Sequence, residues 1–282
     1  MPQKVPFWRS ALLSLALLVL FLGAWEIAVR PPAATGPALD PEYAALLGQA
    51  AQQGQQTPMP APSDIAKRLV ELLSDPFHRR GTNDQGIGLQ IAWSLWRVMV
   101  GFLIAAAVAI PLGFVIGMSP LLNAALNPFI QVLRPVSPLA WMPLALYTIK
   151  DSSISSIFVI FICSVWPMLL NTAFGVASVR REWLNVARTL EAGRWRTAMR
   201  VILPAAAPTI LTGMRISIGI AWLVIVAAEM LVGGTGIGYW VWNQWNNLSI
   251  ADIIIAILMI GLVGLALDRL LGAIAQAVAW QE

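Results

Sequence analysis

The chain has 282 residues, of which 58% are hydrophobic and 11% are charged, with a formal net charge of +4 and a mean hydropathy of +0.73. A soluble domain of this length would need a much larger charged surface, so the composition excludes that class and predicts a chain stabilised by lipid. The apolar runs are continuous rather than alternating, which favours membrane-spanning helices over a β-barrel. The basic residues cluster near the predicted membrane ends, which indicates membrane topology rather than a nucleic-acid partner.

Cysteine and histidine are too scarce for most metal and redox chemistry. The single cysteine, Cys163, lies in an apolar run, so an internal disulfide and a Cys-x-x-Cys site are both excluded. The single histidine, His78, lies in a polar stretch beside two arginines, where a solvated side chain is favoured over a ligand. We therefore predict no metal site and no catalytic residue.

Residues 1–30 form the first predicted element. Lys4 and Arg9 precede an apolar run from about 10 to 29. That run is longer than the apolar core of a usual signal peptide, and no A-x-A site follows it directly. A retained transmembrane helix with a cytoplasmic N-terminus is therefore favoured over a cleaved signal peptide.

Residues 31–86 are rich in proline, glutamine and glycine, and predict a loop in water. Within this loop, Ser63 and Asp64 precede apolar residues at helical spacing, from Ile65 to Leu73. We expect an amphipathic helix on the membrane surface, capped at its N-terminus by these two polar residues.

Five further apolar segments follow, and each is long enough to cross the hydrocarbon region. They lie at roughly 89–117, 121–149, 153–177, 201–232 and 251–275. With the first helix they predict an all-α membrane protein of six transmembrane helices, with a core at 87–275 and a short tail at 276–282. Four prolines (128, 135, 138 and 143) predict that the segment 121–149 is broken. Broken helices survive in a membrane where protein or a wet cavity satisfies the freed backbone groups, so the segment 136–146 is a candidate for lining such a cavity.

The loop between the fourth and fifth spans determines the expected orientation. Residues 178–200 carry six arginines against Glu182 and Glu191. An excess of positive charge marks a cytoplasmic loop. With six spans, both termini are then cytoplasmic and the loop 31–86 is periplasmic.

The same loop carries a recognisable pattern. Residues 181–208 read REWLNVARTLEAGRWRTAMRVILPAAAP, which predicts a basic amphipathic helix, although a solvated loop would also satisfy the charge rule. The stretch resembles the cytoplasmic EAA signature of bacterial ABC importer permeases, E-A-A-x-x-x-G, nine residues, then I-x-L-P. Counting back from Leu203-Pro204 places the E-A-A element on Asn185-Val186-Ala187 and the family glycine on Glu191.

Two positions depart from the family pattern: Asn185 replaces its glutamate, and Glu191 replaces its glycine. Gly193, two positions later, is expected to supply the turn instead. The resemblance implies that the loop at 178–203 couples the permease to an ATPase through nine residues: Asn185, Val186, Ala187, Arg188, Leu190, Glu191, Gly193, Leu203 and Pro204.

Further motifs extend the resemblance over about residues 60–270. They include Gly213-x-Arg215, Ala228-Glu229-Met230, and Arg134-Pro135 followed by Pro138-Leu139-Ala140-Trp141. The combination is similar to the nitrate/sulfonate/bicarbonate branch of type I importers, closest to cyanobacterial-type nitrate and bicarbonate permeases.

This resemblance implies the partners and the location. It implies a homodimer of six-helix subunits in the bacterial inner membrane, two cytoplasmic ABC ATPase subunits and a periplasmic solute-binding protein. The chain has no Walker A motif, G-x-x-x-x-G-K-[ST]. We therefore expect no cofactor on this chain, ATP-Mg on the partner subunits, contact with membrane lipid and none with nucleic acid, and no enzymatic activity of its own.

The implied cargo is a small inorganic anion. Nitrate with nitrite leads, bicarbonate is the alternative, and cyanate or sulfonates are less favoured. Tight binding would block release, so we expect a mostly neutral conduit. Its candidates are Ser137, Trp141, Met142, Asn171, Ser217 and Trp222, with Glu229 as a structural or gating residue. For each conduit candidate, a packing role is at least equally favoured.

Six ionisable residues lie within or beside the spans, where a charge requires a partner or a wet cavity. They are Glu26, Arg97, Arg134, Arg215, Glu229 and Asp252. We expect Glu26, Arg97, Arg134 and Asp252 to be interfacial side chains or members of structural ion pairs. Arg215 and Glu229 share a helix face but are too far apart to pair.

Two other classes stay open at this point. A secondary transporter or channel would work without ATP, although no inverted repeat is evident. A membrane-embedded enzyme is disfavoured because the sequence has no H-E-x-x-H motif and no nucleophile elbow.

Overall fold

A computed structural model describes residues 7–29, 59–81 and 84–278. These ranges are mainly helical, and the sole β-pairing in them is an isolated bridge between Arg79 and Gln85. The α-helices are α1 (Phe7–Val29), α2 (Pro62–Ser74), α3 (Ile87–Met118), α4 (Pro120–Leu133), α5 (Met142–Ile149), α6 (Ser152–Ala177), α7 (Arg181–Thr189), α8 (Arg194–Thr197), α9 (Leu203–Val232), α10 (Ile237–Asn246) and α11 (Ile250–Val278). A 3₁₀ turn (Pro138–Trp141) precedes α5, and a π-helical turn (Ala198–Ile202) joins α8 to α9.

Within the described ranges, five helical stretches are long and apolar enough to cross a membrane: Trp8–Val29, Ile87–Met118, Ser152–Ala177, Arg194–Val232 and Ile250–Ala277. A sixth candidate is the bent pair Pro120–Leu133 and Pro138–Ile149. Counting this pair as one span confirms the predicted all-α membrane fold with six spans.

The bent pair is broken, as its prolines predict. Its two halves meet at an angle of 83°. Pro135 and Pro138 cannot donate backbone hydrogen bonds to a continuing helix, so α4 ends at Leu133 and a short 3₁₀ turn begins at Pro138. At the start of α4, the Ser119 hydroxyl accepts a hydrogen bond from the Leu122 amide at 3.3 Å.

The chain divides into two compact units. In the larger unit, which contains residues 77–242 and 258–282, helices α3, α6 and α9 pack together. Small residues make the close approach of α3 and α6 possible. A Cβ atom at Gly113 would lie 2.7 Å from the Leu169 carbonyl oxygen, and one at Gly101 would lie 2.7 Å from Ile160 Cγ2. These glycines therefore permit backbone contact, as in other membrane bundles.

The smaller unit contains residues 1–76 and 243–257. Within it, Glu26 of α1 accepts hydrogen bonds from the amide and hydroxyl of Ser63, at 3.1 and 2.9 Å. Arg68 of α2 meets the buried Asp252 with two bonds, at 2.8 and 3.3 Å. Hydrogen bonding to Asp252, followed by that to Glu71, raises the pKa of Arg68 above its ordinary value. The expected ion-pairing role of Asp252 is present in this unit.

The capping expected for α2 is wrong. The helix begins at Pro62 with Ala61 as its N-cap, and no side chain caps it. Proline suits the first helical position because its fixed φ is helical and that position needs no amide donor. Ser63 therefore lies inside the helix, where its hydroxyl donates to Glu26. A position for α2 on the membrane surface stays a prediction.

Candidate functional site

The loop before α9 folds as a helical hairpin whose turn is closed by two backbone hydrogen bonds. After α7 ends, the amide of Ala192 donates to the carbonyl of Ala187 at 3.0 Å, and the amide of Glu191 donates to that of Arg188 at 2.9 Å. This 6→1 and 5→2 pairing is a Schellman motif. It stops α7 and reverses the chain into α8.

Glu191 occupies the left-handed position of this turn, with φ at +49°. The motif needs a positive φ at the residue after the C-cap, Leu190, and glycine usually provides it. The expectation that Gly193 takes over the turn is wrong: its φ is −60°, and it is the N-cap of α8. The residue in the turn is therefore the one that the count from Pro204 placed on the family glycine.

The hairpin presents an apolar groove of about 350 Å³. Val186 and Leu190 are 59% and 75% exposed, whereas Ala187 is 5% exposed. Six of the lining residues are Trp183, Val186, Ala187, Leu190, Arg196 and Arg200. An apolar surface with cationic groups beside it is suited to an apolar side chain on an acidic partner surface.

The groove is anchored to the membrane helices through its base. Leu184 of α7 and Leu203 pack against a buried cluster of Val176, Ile202, Ala206 and Ile210. This cluster joins the end of α6 to the start of α9. The other predicted coupling residues, Asn185 and Arg188, are exposed on α7, and Pro204 follows Leu203 in the first turn of α9.

A buried ion pair lies near the far end of α9. Nη1 of Arg97 lies 2.8 Å from Oε1 of Glu229, and the two side chains are 8% and 2% exposed. The hydroxyl of Ser94 lies within 2.9 Å of both carboxylate oxygens, and the amide of Gly238 donates to Oε2 at 3.0 Å. The sequence marked both charged residues but did not pair them.

The same polar network holds the glycine-rich turn that follows α9. Arg97 also donates to the carbonyl of Thr235 and, through Nε at 2.9 Å, to Ser153. The amide of Gly236 donates to Oε1 of Gln90 at 2.6 Å. Two partners of the turn therefore lie on α3, and Glu229 lies on α9, so the network fixes the turn against both helices.

Arg215, in the middle of α9, pairs with an acid on another helix. Arg215 forms two bonds of 2.6 Å with Asp268 of α11. The prediction that Arg215 and Glu229 do not pair is confirmed.

A cavity of about 520 Å³ lies beside the break in the bent pair. It is lined by Arg134, Val136 and Pro138 at the break, and by residues of α6 and α9, including Trp166 and Asn171 of α6. The segment 136–146, predicted to line a cavity, contributes Val136 and Pro138.

The predicted conduit residues do not converge on one place. Asn171 lines the cavity, and Ser137 is exposed between two lining residues. Met142 is buried in a cluster with Val159 and Ala228, and Trp141 packs against that cluster. The remaining three make buried polar bonds: Ser217 donates to the Ser164 carbonyl, Trp222 donates to the Ile260 carbonyl, and Glu229 pairs with Arg97. Their role in conduction stays a prediction.

In the described ranges, no group of three or more histidine, cysteine or acidic side chains could hold a metal ion.

Comparison with known proteins assigns the family. The family described as the binding-protein-dependent transport system inner membrane component matches residues 109–280. The nitrate import permease protein NrtB of Leptolyngbya laminosa is 48% identical over 221 residues, covering 78% of this chain and 79% of the relative. The bicarbonate transport system permease protein CmpB of Synechococcus elongatus is 44% identical over 229 residues, covering 80% of each.

Among solved structures, the MetNI methionine ABC transporter in an inward-facing conformation contains a similar chain. The TM-score is 0.57 at 13% identity, with 67% of this chain and 94% of that chain covered. This likeness shows the type I importer fold.

The chain therefore belongs to the binding-protein-dependent transport system inner membrane components. It is a multi-pass inner-membrane permease of the ABC importer class and not an enzyme. Family membership implies an ATP-driven partner and a binding protein in general terms.

Proposed function

We propose that this chain is the permease subunit of an ABC importer that carries nitrate, together with nitrite, across the inner membrane. In this proposal two copies form the translocating unit, two cytoplasmic ABC ATPase subunits bind and hydrolyse ATP-Mg, and a periplasmic binding protein delivers the anion. Both termini lie in the cytoplasm. The chain is 48% and 42% identical to two nitrate import permeases, from Leptolyngbya laminosa and Synechocystis, which supports nitrate as the cargo.

The hairpin at 181–204 is the observation that carries the coupling role. Its groove is apolar although the loop around it is basic, and Leu190 is 75% exposed. An exposed leucine on a charged loop is stabilised when a partner protein covers it. The base of the hairpin packs on α6 and α9 through Leu184 and Leu203. A movement of the ATPase against the groove is therefore transmitted to these two membrane-spanning helices.

The ATP requirement separates this proposal from a gradient-driven transporter. The purified chain alone should hydrolyse no ATP, and hydrolysis should appear on addition of the ATPase subunits. Accumulation of nitrate in proteoliposomes containing the chain alone, driven by a gradient, would contradict the proposal.

Cargo is tested by complementation. In a strain that lacks its nitrate importer and grows poorly on limiting nitrate, the complete operon containing this chain should restore uptake of ¹⁵N-nitrate. An operon with Leu190→Glu in this chain is the matched control, because the protein should insert in the membrane yet fail to restore uptake.

Bicarbonate is the second candidate, supported by 44% identity to a bicarbonate transport permease. The same strain supplied with ¹⁴C-bicarbonate distinguishes the two anions. Restored bicarbonate uptake without restored nitrate uptake would reassign the cargo and leave the coupling role unchanged.

A further inference from the structure

The arginines of the membrane-spanning segments differ in what neutralises them. Arg97 pairs with Glu229, and Arg215 pairs with Asp268. Arg134, by contrast, meets no carboxylate in the described part of the chain. A guanidinium at membrane depth without a counterion is costly, so Arg134 requires an anion or water from elsewhere.

The position of Arg134 adds to this requirement. It is the C-cap residue of α4, at the middle of the bent pair that runs from Pro120 to Ile149. In transporters, breaks in spanning helices commonly lie near the bilayer midplane and bind the cargo there. Arg134 is therefore placed at the break, where a helix interruption exposes a polar site.

The cavity beside the break contains hydrogen-bond donors and no acid among its described lining residues. The donors are the Arg134 guanidinium, the Trp166 indole N–H and the Asn171 amide. One Asn171 N–H bonds the Pro167 carbonyl at 2.8 Å, which leaves the second N–H of that amide available. The rest of the described lining is apolar, including Ile162, Leu170 and Ile216, so the guanidinium is the one charged group that the lining offers an anion.

We infer that Arg134, with Asn171 and Trp166, forms a transient site for a planar monovalent oxyanion within the permease. This inference rests on the proposed function for the direction of transport and adds the residues that receive the anion. The guanidinium fork matches two oxygens of a planar oxyanion, which a lysine ammonium does not. The volume of 520 Å³ lies in the usual range for small-molecule pockets, about 300–1,000 Å³, so the anion keeps part of its water. A single cation in a wet cavity binds loosely enough to allow release.

The local charge can be measured directly in the complete importer. In a Cys163→Ser background, Leu170→Cys places one thiol on the cavity wall. Modification rates with an anionic and a cationic methanethiosulfonate reagent then report the sign of the local potential. Arg134→Gln should lower the anionic-to-cationic rate ratio about tenfold, whereas Arg215→Gln, a matched arginine paired with Asp268, should change it less than about twofold. An unchanged ratio in Arg134→Gln overturns the inference.

Binding is tested by protection of the same thiol. Nitrate should slow modification of Leu170→Cys, and so should bicarbonate and formate, which are planar. Arg134→Lys should keep the rate ratio but lose most of the protection, because the charge stays and the fork is lost. Protection that is equal in Arg134→Lys and in the parent would overturn the bidentate geometry.

Lipid phosphate is the competing source of an oxyanion. If Arg134 instead binds a headgroup, nitrate should give no protection, and the rate ratio should differ between detergent and vesicles of phosphatidylglycerol. That result overturns the inference.

Uptake distinguishes this inference from the proposed function. Arg134→Gln should lower nitrate uptake about tenfold while ATP hydrolysis stimulated by the loaded binding protein stays within about twofold. Absence of nitrate uptake by the parent importer contradicts the proposed function but leaves the rate-ratio test intact. Normal uptake by Arg134→Gln contradicts the site alone.

Discussion

Arg97 Nη1 lies 2.8 Å from Oε1 of Glu229, across 132 positions of sequence, and both side chains are almost fully buried. This pair joins α3 to the end of α9, and four further polar groups, from Ser94, Ser153, Thr235 and Gly238, complete it. A buried pair of this kind is costly to break on one side because the remaining charge stays in a dry environment.

Glu229→Gln should lower the free energy of unfolding by about 3–5 kcal/mol, because Arg97 then keeps its charge without a counterion. The loss should appear as a lower melting temperature of the purified importer in detergent. Arg97→Gln combined with Glu229→Gln should recover part of it, since neither charge remains. A single variant that melts with the parent would contradict a structural role for the pair.

Gly236→Ala should destabilise the turn by about 1–3 kcal/mol. The φ of Gly236 is +146°, and a Cβ atom there would overlap the carboxylate of Glu229. Gly219→Ala is the matched control, because a Cβ at that helical position meets nothing within 4 Å. Equal melting temperatures for the two variants would show that the turn tolerates movement of the carboxylate.

Glu191→Gly should stabilise the hairpin by about 0.5–1 kcal/mol, because glycine adopts the left-handed conformation without a Cβ penalty. Limited proteolysis of the loop, compared between variant and parent, measures this effect. Gly193→Ala should have little effect, since the φ of Gly193 is −60° and a Cβ there meets nothing within 4 Å. The reverse ranking would place the turn at Gly193.

Leu190→Ser should reduce ATP hydrolysis by the assembled importer about tenfold, because it removes an exposed apolar side chain from the groove that the ATPase is proposed to cover. Trp195 is equally exposed, at 75%, but does not contribute to the groove. Trp195→Ser should therefore change hydrolysis less than about twofold. Subunit co-purification separates loss of assembly from loss of turnover.

Ala187→Phe should uncouple ATP hydrolysis from uptake. Ala187 is 5% exposed, and added bulk at a packed position costs about 1–3 kcal/mol and displaces its neighbours. Charge reversal at Arg188 should also uncouple, but through the exposed face of α7. Measuring nitrate taken up per ATP hydrolysed checks both variants, and a normal ratio would remove the hairpin from the coupling route.

The spans and the break were predictable from local signals. Length and apolarity marked each span, and four prolines marked the segment 121–149 as broken, although the chain breaks only around Pro135 and Pro138. Counting from Pro204 aligned Glu191 with the family glycine, but the turn was predicted at Gly193, which was wrong. The conformation of Glu191 was not predicted, since a non-glycine residue at positive φ is rare and local preference favoured Gly193.

The sequence predicts which charged side chains lie within or beside the spans, but not which residue each of them pairs with. Arg97 and Glu229 are separated by 132 positions, and no local periodicity relates residues on different helices. Pairing was decided by the packing of α3, α6 and α9, which also determined that Ser217 and Trp222 bond to neighbouring helices. The same packing leaves Arg134 without a carboxylate partner among the described residues, which composition alone did not predict.

The stretch from Arg194 to Val232 is a single helical rod of 39 residues, about 58 Å long at 1.5 Å per residue. Its first turns belong to the hairpin at 181–204, and its last turn carries Glu229. A rigid body of this length converts a rotation of a few degrees at one end into a displacement of several ångströms at the other. The π-helical turn at Ala198–Ile202 lies within this rod, between the hairpin and the apolar part of α9, so the rod acts as one rigid body only while the winding of that turn is kept.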